Sequence, residues 1–103
     1  MIISMTYMSF TGFSQGVDPV SVAHEYYRLG EFEKAEAEYR KLARSKKNIS
    51  RIHENYFKLL ITVEKFNEAE KYMKNVLRLI PENFIYEVDN GVLLLAKGEK
   101  EKA

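Results

Sequence analysis

The side chains in this sequence that could carry out a reaction are few and far apart. Neither His24 nor His53 has a second histidine or a cysteine at metal-ligand spacing, and the chain contains no cysteine at all. Thiolate catalysis, disulfides and cysteine-based zinc sites are thereby excluded, and a metal site is not expected. The acid pairs Glu36/Glu38 and Glu68/Glu70 are of the type used in general acid–base catalysis. They fall on polar helix faces, where carboxylates are solvated, and nothing around them indicates a pocket that would raise one pKa. No nucleophile motif, glycine-rich phosphate loop or dinucleotide fingerprint occurs. Catalysis and cofactor binding are therefore not expected.

Phosphate binding has a better basis. Arg40, Lys41, Arg44, Lys46, Lys47 and Arg51 form a dense cationic run with Tyr39 beside it. The same residues also suit a solvated helix end whose lysines complement the helix C-terminus. Acids nearby bring the net charge to only +1, so no global field draws polyanions or anionic lipid. Nucleic-acid binding through residues 40–51 is the second functional reading, behind protein binding.

These residues must be positioned by a small domain. The chain has 103 residues, 46% hydrophobic and 30% charged, enough for one modest core. Residues 1–16 stand apart: they carry no charge, are rich in Met, Ile, Phe and Tyr, and are too short to span a bilayer as a helix. They read either as an apolar arm laid over an exposed end of the fold or as a signal-like segment. The second reading lacks a basic n-region, and Ser4, Thr6, Ser9 and Thr11 interrupt its apolar core. Location follows that choice: cytoplasmic by default, exported if residues 1–16 are a signal remnant.

The remainder, residues 17–103, is organised by a period. Ala35, Ala69 and Ala103 recur at an interval of 34 residues. Gly30-Glu31-Phe32-Glu33-Lys34-Ala35-Glu36 aligns with Glu64-Lys65-Phe66-Asn67-Glu68-Ala69-Glu70, and Gly98 opens a third copy. A period of this length marks a stacked repeat architecture. Helical spacing, caps and breakers predict five helices. The first starts at the Asp18 cap and Pro19, uses Val22, Ala23, Tyr26 and Leu29, and stops at Gly30. The second covers about 32–44, with acids before bases and a Glu36–Arg40 pair. The third is capped by Ser50 and buries Ile52, Tyr56, Phe57, Leu60 and Val63. The fourth begins with a capping box at Asn67 and Glu70, buries Ala69, Tyr72 or Met73, Val76 and Leu77, and ends before Pro81. The fifth follows Asn83, covers about 84–97 and closes on Gly98, leaving residues 99–103 as the first turn of a sixth. No sustained period-two alternation competes.

The helix–turn–helix period over about residues 16–103 resembles the tetratricopeptide repeat (TPR). The register is shared by Ala23, Phe57 and Gly91, by Tyr26, Leu60 and Leu94, by Gly30 and Gly98, by Phe32 and Phe66, by the three alanines, by Tyr39 and Met73, and by Pro81. Departures gather in the middle copy, where Phe57 is large and Glu64 replaces the turn glycine. The resemblance implies an all-α fold, an α–α superhelix or solenoid of stacked antiparallel helix pairs. Its repeats would span approximately 16–49 and 50–83, with a truncated third over 84–103.

It also implies a concave groove lined by the first helix of each pair. The groove positions fall on Val20, His24 and Tyr27, then Arg51, Glu54, Lys58 and Ile61, then Ile85, Val88, Val92 and Leu95. A family clamp for C-terminal carboxylates would use the places of Val20, His24, Asn55, Ile85 and Asp89, of which only Asn55 matches. Carboxylate clamping is therefore rejected. The fifth helix is apolar around most of its circumference, although an end helix of a solenoid is normally polar outside. Protein–protein interaction follows as the expected function: a scaffold or adaptor holding a peptide or helix in the groove, or self-association through residues 84–97. A purely structural piece of a longer repeat protein is the remaining alternative.

Overall fold

The structure, a computed structural model, describes residues 16–102. The expected N-terminal arm and the third repeat alanine, Ala103, lie outside the described residues. Among these the fold is all-helical, in the order α1 (Pro19–Arg28), α2 (Phe32–Leu42), α3 (Lys46–Thr62), α4 (Phe66–Leu79) and α5 (Phe84–Lys102). Each helix packs on the next in sequence, and α1 also packs on α3.

Helix α1 begins as its sequence dictates. Pro19 occupies the first helical position, and Asp18 Oδ1 accepts the Val20 N–H at 3.2 Å, satisfying a donor the helix leaves free. The chain then turns through Gly30 at φ 79°, with Gly30 N–H donating to Tyr27 O and Glu31 N–H to Tyr26 O. The same turn recurs one period later. Glu64 sits at φ 62°, its N–H donates to Ile61 O and the Lys65 N–H donates to Leu60 O. Both are Schellman-type closures, and the second is built on a residue for which the left-handed region is strained. Replacing the glycine by Glu64 leaves these hydrogen bonds intact.

Three helix boundaries differ from expectation. Helix α3 starts at Lys46, with Ser45 in extended backbone before it, so Ser50 lies exposed inside the helix and caps nothing. The added turn buries Ile49 completely, a gain in apolar burial that outweighs the preferred cap. Helix α4 starts at Phe66 with Lys65 as its N-cap residue and no side-chain cap; Lys65 O accepts the first intrahelical N–H, that of Ala69, at 2.9 Å. The expected Asn67 capping box is therefore absent, and Glu70 binds Lys97 instead.

The largest difference is α5, which continues through Gly98 to Lys102, so no turn opens a sixth helix. A helical glycine costs about 1 kcal/mol. Two contacts flank it: Lys97 Nζ donates to Glu70 of α4 at 2.9 Å, and Lys100 Nζ to Glu64 in the α3–α4 turn at 2.6 Å. The helix also starts as expected, with Asn83 Oδ1 accepting the Tyr86 N–H at 3.1 Å.

The core runs along the stack. Ala35 and Ala69 are fully buried at the crossings of their helix pairs, with Tyr39 and Met73 one turn on. Tyr72 and Met73 are both buried, while Leu29 and Val63 are exposed at their helix ends rather than in the core. Aromatic rings connect the layers. Tyr39 stacks on Tyr56 with centroids 5.3 Å apart, Tyr56 meets Tyr72 edge-on at 4.6 Å, and Tyr72 stacks on His53 at 5.6 Å. His53 then meets Tyr86 of α5 edge-on at 4.7 Å.

Candidate partner-binding surface

The residues expected to line a groove fall into two groups. Those on α1 and α3 are largely engaged with one another or with the core. Val20 is a correction: at 2% exposure it belongs to the core and offers nothing to a ligand. His24 is half-buried. The Tyr39 hydroxyl lies 2.6 Å from its Nδ1, and the Asn55 amide nitrogen 3.2 Å from the same atom. Arg51 is ion-paired with Asp18 across the α1–α3 contact, and that guanidinium holds the Asp18 carboxyl below its usual range. Tyr27 rests beside Phe32 with ring centroids 5.8 Å apart, and Ile61 packs against the core. Glu54 and Lys58 are exposed and polar.

The second group lies on α5. Ile85, Val88, Val92 and Leu95 are 64%, 46%, 46% and 71% exposed, with Phe84 at 77% on the same side of the helix. Their spacing of three, four and three residues makes a straight apolar seam on an α-helix. The opposite side of α5 is the one that packs inward, through Tyr86 and Leu93. The helix is thus apolar on two faces and covered on one. A shallow cavity of about 210 Å³ joins the groups: Glu54 and Ile85 line it with Ser50, His53, Asn83 and Tyr86.

His53 lies in the core. It is buried at 6% exposure, and all its hydrogen-bonding capacity is used. With the proton on Nε2, that N–H donates to Asp89 at 2.7 Å while Nδ1 accepts the Tyr72 hydroxyl at 2.8 Å. Asp89, which would oppose a bound carboxylate, is thus turned onto the protein. This group joins α3, α4 and α5 over long sequence separations, and no local spacing announces it. Burial raises the Tyr72 hydroxyl far above the ordinary phenol pKa and raises Tyr39 and Tyr56 to about 12. None of these phenols is activated as a nucleophile. Glu36, expected on a solvated face, is also buried; its carboxylate takes Arg40 at 2.9 Å and Lys65 at 2.8 Å.

The cationic run of residues 40–51 does not act as one patch. Arg40 and Lys41 pair with Glu36 and Glu38, and Arg51 with Asp18. Arg40 and Arg44 instead join Lys71 and Arg78 around an open cleft of about 500 Å³ between α2 and α4, together with Glu68 and Asn75. Sequence reasoning missed this grouping, because Lys71 and Arg78 come from the following helix pair. Among the described residues no three or more of His, Cys, Asp and Glu are grouped to hold a metal ion. No described helix is long and apolar enough to cross a membrane. No protein-family model, curated protein or solved structure matches the chain.

Proposed function

We propose that this chain is a non-catalytic protein–protein interaction module of the tetratricopeptide type, built as a short solenoid, and that its docking surface centres on α5. The exposed seam Ile85, Val88, Val92 and Leu95, with Phe84 beside it, carries the reading. An end helix with an uncovered apolar face gains from burying it, at about 1.5–3 kcal/mol per large aliphatic side chain. The repeated turn at Gly30 and Glu64 supports the repeat architecture. The test is affinity purification with the native chain and with Val88, Val92 and Leu95 changed to Asp. A partner recovered by the first and lost by the second is the expected result; equal recovery would oppose the reading. All three side chains are exposed, so the changes leave the core intact.

A second reading, nucleic-acid binding, is favoured by one observation: Arg40, Arg44, Lys71 and Arg78 converge on the α2–α4 cleft. Each phosphate contact releases counterions, so binding would weaken steeply with salt. A gel-shift series with single-stranded RNA and DNA at low salt tests it, and the absence of a shift at micromolar protein would end it.

A further inference from the structure

On that reading of α5, the uncovered face needs a partner, and the geometry points to a second copy of this chain: we propose that two α5 helices pair antiparallel about a two-fold axis that crosses the seam between Val88 and Val92, at the level of residue 90. The seam is self-complementary in that register. Ile85 of one copy opposes Leu95 of the other, and Val88 opposes Val92, because both pairs are centred on position 90. A spacing of three and four is that of the a and d positions of a coiled coil, and antiparallel pairing sets each a against a d. No other apolar face among the described residues has this symmetry.

The flanks fit the same arrangement. From Phe84 to Ala96 the only charged residues are Glu87, at the edge, and Asp89, which is turned onto His53. No charge is therefore buried when the seams meet. Gly91 borders the seam on one side and Ala96 on the other. A Cβ at Gly91 would meet nothing within 4 Å, so nothing packed inside the chain requires this residue to be small. A helical glycine without an internal purpose is accounted for by a second backbone passing close to it. Size is adequate as well. The exposed parts of the four seam side chains and Phe84 amount to roughly 500 Å² per copy and about 1,000 Å² per pair, the lower bound for specific association. An interface of that size suits a weak, reversible dimer.

The test uses the full chain. Light scattering across the micromolar range should show the mass rising from 12.1 kDa towards twice that value. Val88→Asp should raise the dissociation constant at least about tenfold, since it brings carboxylates to the centre of the seam. Orientation is read separately, because the chain has no cysteine of its own. Under oxidation a mixture of Val88→Cys and Val92→Cys chains should cross-link, whereas Val88→Cys alone should not, its two thiols lying more than one helical turn apart. A monomer at all concentrations overturns the proposal. So does unchanged dimerisation of Val88→Asp, or cross-linking of Val88→Cys alone, which would mean another surface or a parallel pair. If the chain is monomeric and yet the aspartate-sensitive partner of the preceding section is recovered, the dimer fails and the docking role of α5 stands.

Discussion

His53 and Asp89, 36 residues apart in sequence, meet through a 2.7 Å hydrogen bond that fastens α5 to α3. Asp89→Ala leaves a buried N–H without a partner, and the expected loss is about 1–3 kcal/mol. Asp89→Asn keeps an acceptor in place and should cost distinctly less. Urea denaturation of the three proteins checks the order; equal stability of the alanine and native chains would mean that the bond contributes nothing.

Glu64 occupies a left-handed conformation that glycine adopts without strain, in a turn otherwise matching that at Gly30. Glu64→Gly should stabilise the fold by about 0.5–1 kcal/mol, the strain relieved less the added freedom of the unfolded chain. The lost ion pair with Lys100 subtracts little, both side chains being more than half exposed. Thermal melts of the two proteins provide the comparison, and a lower melting temperature for the glycine variant would contradict it.

Gly98 lies inside α5 with open space around it. Gly98→Ala should therefore stabilise the chain by about 0.5–1 kcal/mol, the ordinary difference between these residues in a helix. If Gly98 instead ended the helix, as its place in the repeat suggests, the alanine would be neutral or harmful. Circular dichroism during chemical unfolding distinguishes the two.

Alkaline pH should unfold the protein through its tyrosines. Burial raises Tyr39 and Tyr56 from the ordinary phenol value near 10 to about 12, and raises Tyr72 and Tyr86 as well. The neutral phenol is thus favoured in the folded state. The resulting stability is complete below the unfolded value and is lost as pH rises through the interval between the two. Phenolate absorbance should develop in two stages, the later one coinciding with loss of helical signal. A single stage without unfolding would count against these burials.

Much of the architecture was legible because it is local. Asp18, Pro19 and Gly30 act within a few residues of themselves, and helical spacing identified buried side chains such as Ala23, Ile52, Tyr56, Leu60 and Val76. The misses have a common cause in longer-range contacts. Ser50 is a competent cap, but burying Ile49 extends α3 past it. Gly98 is a competent terminator, but beside it Lys97 reaches across to the partly buried Glu70 of α4. His53 carries no local sign of its two partners. Of the candidate surface, the α5 residues were readable from their own helix, whereas the α2–α4 cleft required the packing of two helix pairs.

The buried Glu36 carboxylate binds Arg40 of its own helix and also Lys65, which belongs to the following helix pair. Severing the chain between α2 and α3 would leave that charge half-neutralised and uncovered. The first helix pair is thereby coupled to the second. The two pairs should melt together in a single transition, and neither isolated half should retain native helix content.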